Sequence, residues 1–109
     1  MRLLFDESVP GRLGRSLPNH AVRTVVELGW SGVTIGKLLS LAAAADFDAF
    51  VTVDKNLPQL QNMTTLPIAV IVLDAGSIEL PALMSLLPYL ERELSSLRPK
   101  TYMRVATAR

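Results

Sequence analysis

Two short apolar runs constrain the fold of this chain more than any other feature. Phe50-Val51-Thr52-Val53 and Ile68-Ala69-Val70-Ile71-Val72-Leu73 are rich in β-branched residues and almost free of polar ones. A strand with one solvent-facing side alternates between apolar and polar residues, whereas a strand covered on both faces is apolar throughout. The two runs therefore predict strands of a parallel sheet that helices cover on both sides.

The remaining segments supply the other strands and the covering helices. Five strands are predicted: Arg2 to Asp6, Ala21 to Val26, Ala49 to Val53, Ile68 to Leu73 and Thr101 to Val105. Helical spacing and start signals predict helices at Ser8 or Val9 to Leu17, Thr34 to Ala45 and Glu79 to Leu97, with a short turn near Leu57 to Asn62. This alternation predicts one α/β domain over residues 1–109, with three layers and a mostly parallel five-stranded sheet. The tail after Thr107 is expected to be flexible.

The last predicted helix carries a leucine stripe at helical spacing. We expect this stripe to pack on the sheet and Pro88 to kink or split the helix. Its members are Leu80, Leu83, Leu87, Leu90, Leu94 and Leu97.

Composition excludes several classes of protein. Of the 109 residues, 50% are hydrophobic, and the net charge is +1, which argues against disorder and against a strongly basic nucleic-acid module. The chain has no cysteine and one histidine, so disulfides and thiolate metal sites are excluded. The apolar run at the N-terminus is too short for a signal peptide, and no segment is long enough to cross a bilayer. We expect a cytoplasmic protein without a membrane partner.

Acidic residues follow three of the predicted strands. Asp6 and Glu7 follow the first strand, Asp54 follows the third and Asp74 follows the fourth. Ligands of open α/β sheets bind outside the carboxyl ends of the strands, where the strand order reverses. Mg²⁺ and Mn²⁺ prefer oxygen ligands, and a bound ion of this kind activates water and neutralises phosphoryl charge. An acidic edge therefore predicts metal-assisted phosphodiester hydrolysis.

A structural explanation of the same acids stays open. Asp and Asn commonly begin turns, so Asp54-Lys55-Asn56 can be a turn only. Asp6-Glu7-Ser8 can serve the positive end of the first helix, with Ser8 as its cap. Asp74 begins Asp74-Ala75-Gly76-Ser77, which has the composition of an ordinary loop.

Basic residues near this edge are candidates for contact with a nucleic-acid backbone. Arg12, Arg15 and Lys55 lie on the first helix or at the edge itself, where they can contact RNA phosphates. Alternatively they form a solvated helix face and a turn, in line with the nearly neutral net charge. A small-molecule site is disfavoured because no glycine-rich phosphate loop is present.

Three segments resemble a known family, the small PIN-like proteins that include the toxin-type, VapC-like ribonucleases of toxin–antitoxin systems. The likeness spans residues 1–75 and is carried by Leu3-Leu4-Phe5-Asp6-Glu7-Ser8-Val9-Pro10, Thr34-Ile35-Gly36-Lys37-Leu38-Leu39 and Phe47-Asp48-Ala49-Phe50-Val51-Thr52-Val53-Asp54-Lys55-Asn56-Leu57. Gln61-Asn62 adds weaker support.

The resemblance implies a PIN-like sheet and RNA cleavage. It implies a Mg²⁺ or Mn²⁺ site with Asp6 and Asp54 as ligands and catalytic residues, and Glu7 as an accessory catalytic residue. RNA, an antitoxin protein and a second copy of the chain are the partners to expect.

One position departs from the family pattern. Relatives usually have Thr-Asn-Gly followed by Glu or Asp, where this chain has Thr34-Ile35-Gly36-Lys37. With Thr34 as N-cap, Lys37 is the third helical residue, where Glu would complete a capping box. Lysine instead faces the positive helix end, at a cost of about 0.3–1 kcal/mol. Its ammonium can take the place of a cation or bind a substrate phosphate, or its flexible stem can carry the charge into solvent.

Two functions follow from this departure. The first is a divalent-metal-dependent PIN-like ribonuclease, the toxin of a toxin–antitoxin pair. The second is a catalytically impaired PIN-like binding or assembly module, with Lys37 in place of an acidic metal-site residue.

Overall fold

The centre of the fold is a sheet of five parallel strands. The computed structural model describes residues 1–57, 61–62 and 64–107. Its strands are β1 (Arg2–Phe5), β2 (Ala21–Thr24), β3 (Ala49–Thr52), β4 (Ala69–Asp74) and β5 (Tyr102–Ala106). Each neighbouring pair is parallel, and the order is β2-β1-β3-β4-β5. The predicted strands are confirmed with shifts of one or two residues at their ends.

The pairing of β1 with both β2 and β3 fixes where a site can form. Leu3 of β1 faces Val22 of β2 on one side and Ala49 of β3 on the other. From β1 the chain passes to β2, whereas from β3 it passes to β4 on the other side of the sheet. The strand order therefore reverses between β1 and β3, and the carboxyl ends of these two strands flank the crevice in which such sheets bind ligands.

Four helices accompany the sheet in the described part of the chain: a 3₁₀ helix (Gly11–Ser16), α1 (Ile35–Ala44), α2 (Leu80–Met84) and α3 (Leu87–Leu94). None of these helices has the length and apolar character that crossing a bilayer requires. Residues 58–60 of the turn predicted near Leu57 to Asn62 lie outside the described residues, as does the predicted flexible tail, residues 108–109.

The first helix differs from the α-helix that was predicted for it. It is a 3₁₀ helix, with Leu13 N–H donating to Pro10 O at 3.0 Å and Leu17 N–H donating to Gly14 O at 3.1 Å. A Cβ built on Gly14 would lie 2.9 Å from Cγ1 of Val22, so a glycine is needed where this helix meets β2. Glycine weakens an α-helix interior, which favours the tighter, shorter form.

Two buried clusters cover the two faces of the sheet and give the three predicted layers. On one face, α1 contributes Leu38, Leu39 and Ala42, which pack with Leu4, Phe50 and Val70. On the other face, α2 and α3 contribute Leu83, Leu90 and Leu94, which pack with Phe5, Val51 and Ile71. Successive residues of each strand thus point to opposite clusters, as a strand buried on both sides requires.

The last two connections cover opposite faces of the sheet. Leu57 and Leu66, between β3 and β4, pack on the face of α1, whereas α2 and α3 lie on the other face. Both connections step to the adjacent strand in the same direction. The two crossovers therefore have opposite hands, and only one of them has the right-handed sense that nearly all such connections share.

The split of the last predicted helix is confirmed. The leucines that are buried differ from the predicted stripe. The break falls between α2 and α3, and Pro88 occupies the first turn of α3, where a missing N–H costs no hydrogen bond. Leu86, outside the predicted stripe, is fully buried, and it stands at helical spacing from both Leu83 and Leu90. Leu87, which belongs to the stripe, is only partly buried against the core.

We expect Leu86→Ala to lower the free energy of unfolding by about 2–5 kcal/mol, because it leaves a cavity in a closed core. Leu87→Ala should cost about 1–2 kcal/mol, because part of that side chain already contacts water. Urea unfolding of the two variants measures both values. Leu87→Ala as the more damaging change would contradict the burial of Leu86 in the core.

Candidate functional site

Asp6 and Asp54 lie at the carboxyl ends of neighbouring parallel strands. Asp6 directly follows β1, and its N–H donates to Val51 O of β3 at 2.9 Å, which continues the strand pairing by one residue. Asp54 stands two residues beyond Thr52, the last residue of β3. The first and third strands are neighbours in the sheet, as predicted. Both acids therefore lie where the strand order reverses.

Thr52 joins the backbone of one acid to the side chain of the other. It is fully buried, and it is the only buried polar or charged side chain among the described residues. Its hydroxyl donates to Asp6 Oδ2 at 2.8 Å and accepts the Asp54 N–H at 3.1 Å. A single buried hydroxyl therefore fixes the Asp6 carboxylate relative to the segment that carries Asp54. Thr52 was not among the predicted site residues. The sequence does carry a signal for it, because Thr52 is the one hydroxyl-bearing residue of the apolar run Phe50-Val51-Thr52-Val53.

The Asp6 carboxylate has donors on both oxygens. Oδ1 accepts the Glu7 N–H at 2.8 Å, and Oδ2 accepts the Ser8 hydroxyl at 3.0 Å in addition to that of Thr52. Ser8 thus bonds to Asp6, and Pro10 rather than Ser8 is the N-cap residue of the 3₁₀ helix. Since each carboxylate oxygen has about two acceptor positions, Oδ1 retains one for a further ligand.

Asp54 begins a turn, as its sequence context allows. Its Oδ1 accepts the Asn56 N–H at 2.9 Å, a contact typical of Asx turns. Asp54 is half-buried, and no described group donates to its Oδ2. The turn role and a ligand role are therefore compatible in the same side chain.

The donor chemistry of the two carboxylates suits a Mg²⁺ or Mn²⁺ ion of the kind that keeps several waters. Mg²⁺ is usually bound through one or two carboxylates together with water and substrate phosphates. Asp6 Oδ1 and Asp54 Oδ2 have the acceptor capacity for this. Within residues 1–57, 61–62 and 64–107, no cluster of three or more His, Cys, Asp or Glu side chains is placed to hold a metal ion. A dedicated all-protein cage is therefore not formed there.

Glu7 holds the loop between β2 and α1. Its Oε1 accepts the N–H of Gly32 at 3.2 Å, and Gly32 has a φ of +81°, a conformation that glycine adopts without strain. Glu7 therefore ties the segment before α1 to the end of β1. This contact uses a carboxylate oxygen that the resemblance would assign to accessory catalysis.

Lys37 lies in the first turn of α1, as predicted. Thr34 is the N-cap residue with extended backbone angles, but its side chain makes no capping hydrogen bond. Lys37 is exposed, and its ammonium makes no ion pair with any carboxylate of the described residues. The Gln61 side chain lies over the same turn, with Oε1 3.5 Å from a Cβ built on Gly36.

Asp74 forms a second charged group at the same edge. Lys55 Nζ lies 3.1 Å from Asp74 Oδ1, and the Arg104 guanidinium of β5 donates from Nε to Asp74 Oδ2 at 2.8 Å. The Lys55 ammonium and then the Arg104 guanidinium hold the pKa of Asp74 below its ordinary value of 3.8. The loop composition of residues 74–77 gave no sign of this pairing, because Arg104 lies 30 residues away in the chain.

No hydrogen bond or ion pair of the described residues holds Arg12 or Arg15, the other predicted phosphate contacts, at this edge. Arg12 and Arg15 are exposed on the 3₁₀ helix, and neither forms an ion pair within the described chain. A cavity of about 380 Å³ lies at the amino-terminal edge and is lined by residues including Asp46, Phe47 and Lys100. The acids are thus at an open edge of the sheet and not in that cavity.

Comparisons with protein-family models, curated proteins and solved structures give no match to this chain.

Thr52→Val should lower the free energy of unfolding by about 1–3 kcal/mol, because it removes the acceptor of the Asp54 N–H and one donor to Asp6. Amide hydrogen exchange at Asp54 should become faster as well. Thr52→Ser is the matched control, since it keeps the hydroxyl and should keep the slow exchange. Equal exchange rates in both variants would show that the hydroxyl does not hold this segment.

The Asp74 contacts should make stability depend on pH in a defined direction. A carboxyl group whose folded pKa is depressed stabilises the fold above its unfolded value and loses this contribution as pH falls through the folded value. The difference in unfolding free energy between wild type and Asp74→Asn should therefore be constant from about pH 5 to 7 and shrink below about pH 4. Denaturant unfolding across this range measures it; a difference that grows on acidification contradicts the ion pairs.

Proposed function

We propose that this protein is a PIN-like ribonuclease that depends on Mg²⁺ or Mn²⁺. The observation that carries the proposal is the pair Asp6 and Asp54, held at the β1–β3 reversal through the buried Thr52 hydroxyl. The resemblance of the motifs around both acids supports RNA as the substrate. It also supports the further proposals of a toxin role with an antitoxin partner, a homodimer and a cytoplasmic location.

Each residue of the site has a distinct task in this proposal. Asp6 and Asp54 hold the ion, and Thr52 fixes their relative position. When bound, the ion activates a water molecule and offsets charge on the scissile phosphate. Glu7 keeps the loop before α1 against the end of β1, and Lys55 places positive charge beside Asp54 for the RNA backbone.

A second function, an impaired PIN-like binding or assembly module, is favoured by two observations. The Asp6 carboxylate already accepts three hydrogen bonds from the chain itself. Lys37 stands where the family pattern has an acid, so no third carboxylate from α1 reaches the edge. Fewer oxygen ligands lower the affinity for a hard cation, which would leave the fold intact and the chemistry weak.

An RNA-cleavage assay with Mg²⁺ or Mn²⁺ separates the two functions. The ribonuclease proposal predicts metal-dependent cleavage that Asp6→Asn and Asp54→Asn each reduce at least about 100-fold, because each removes a charged ligand. Asp46→Asn is the matched control, since Asp46 is an exposed acid at the opposite edge. No cleavage by the wild type, or equal loss in the control, contradicts the proposal.

Lys37→Glu tests whether the departure from the family pattern weakens the metal site. The change should raise Mn²⁺ affinity and cleavage by adding an oxygen ligand, and raise stability by on the order of 0.5–2 kcal/mol by completing a capping box with Thr34. Lys37→Gln is the control, because glutamine also completes the box but adds no charged ligand. Calorimetric Mn²⁺ titration and thermal unfolding give both readouts. If both variants gain stability and neither gains affinity, position 37 is not part of a metal site.

A further inference from the structure

Three charged side chains converge from three neighbouring strands at the carboxyl edge of the sheet. Lys55 follows β3, Asp74 is the last residue of β4 and Arg104 lies on β5. Both cations contact the same carboxylate, one oxygen each, at 3.1 Å for Lys55 and 2.8 Å for Arg104 Nε. We call these three residues the edge cluster.

The edge cluster has one positive charge in excess. Two cations share one carboxylate, and the depressed pKa of Asp74 keeps that carboxylate ionised near neutral pH. The Asp74 side chain is only 9% exposed, whereas those of Lys55 and Arg104 are 59% and 61% exposed. The carboxylate is therefore enclosed by the cations, while the cations keep open faces and unused N–H donors toward solvent.

The arrangement differs from an ordinary surface ion pair. Arg23 and Glu27, in contact at 3.3 Å, pair one cation with one anion and have no net charge. In the edge cluster, the carboxylate already holds two flexible side chains in place. The two cations therefore lose less conformational entropy when they bind an anion. Since Lys55 directly follows Asp54, the cluster also lies next to the acidic pair.

We propose that the edge cluster binds one phosphate of the RNA backbone beside the Asp6–Asp54 site, with Asp74 as the residue that positions the two cations. This inference rests on the proposed ribonuclease function for the identity of the polyanion. The guanidinium and ammonium supply the donors for a phosphate oxygen, and the excess charge supplies the attraction. The cluster thus sets the path of the strand across the carboxyl ends of β3, β4 and β5.

The test is the salt dependence of binding to a short single-stranded RNA in EDTA, where metal-dependent cleavage does not occur. For single strands, each neutralised phosphate contributes about 0.7 to the slope of log affinity against log salt. Lys55→Gln and Arg104→Gln should each lower the slope by about 0.7, since either change cancels the excess charge. The double variant should fall no further, because both cations serve one phosphate.

Arg23→Gln is the matched control. It removes an ion-paired, half-exposed arginine from β2, at the opposite side of the sheet, and should leave the slope unchanged. Thermal unfolding of each variant confirms that it is folded at the assay temperature. Slopes of the Lys55 and Arg104 variants equal to that of Arg23→Gln would overturn the inference, and an additive loss of about 1.4 in the double variant would overturn the single-phosphate site.

Failure of the phosphate-site inference can be distinguished from failure of the ribonuclease proposal. A wild type that cleaves RNA, with a slope that Lys55→Gln leaves unchanged, refutes the edge cluster alone. A slope that falls as expected in a protein that cleaves no RNA supports the phosphate contact and refutes the ribonuclease proposal.

Discussion

The parallel pairing of β1 with β3 is the constraint on which the rest of the site depends. These strands are central in the sheet, and every residue of β3 is buried. Their alignment sets Leu4 beside Phe50 and Phe5 beside Val51, so Asp6 emerges next to Thr52. A slip of β1 by one residue would turn its side chains to the opposite faces of the sheet and separate Asp6 from Thr52. The core that stabilises the fold thus also holds the acids in position.

Within that frame, hydrogen bonds from the chain serve two purposes at once. The contacts to Asp6 and Asp54 have the form of turns, and they satisfy backbone N–H groups that leave the sheet at Glu7, Asp54 and Asn56. They also hold the Asp6 carboxylate in place, and within the described part of the chain they leave one acceptor position on Asp6 Oδ1 and no donor to Asp54 Oδ2. A structural role and a ligand role are therefore not alternatives for these residues. In the proposed site, the number of oxygen ligands would decide between strong and weak metal binding.

Particular residues show how far the sequence could predict this structure. The apolar runs that form β3 and β4 predict the parallel sheet, and the acids after β1 and β3 predict the edge that carries the candidate site, because both signals are local. The bonding partner of Asp74 was not predictable, since Arg104 is distant in the chain and its strand position depends on the order of the sheet. The burial of Leu86 instead of Leu87 was missed because both positions stand at helical spacing from Leu83 and Leu90, so spacing alone does not separate them. The 3₁₀ helix was missed because the close approach of Gly14 to Val22 is a tertiary contact.

Paramagnetic line broadening by Mn²⁺ in an amide NMR spectrum tests the central claim most directly, because it reports where the ion binds without requiring any activity. Substoichiometric Mn²⁺ should broaden the amides of Glu7, Asp54 and Asn56 first, since these donate to or lie within the two acidic segments. The amides of Asp46 and Asp48, at the opposite edge, should stay sharp, and Asp6→Asn should abolish the selective broadening. Uniform broadening of all acidic segments, or selective broadening that persists in Asp6→Asn, would contradict a metal site between Asp6 and Asp54.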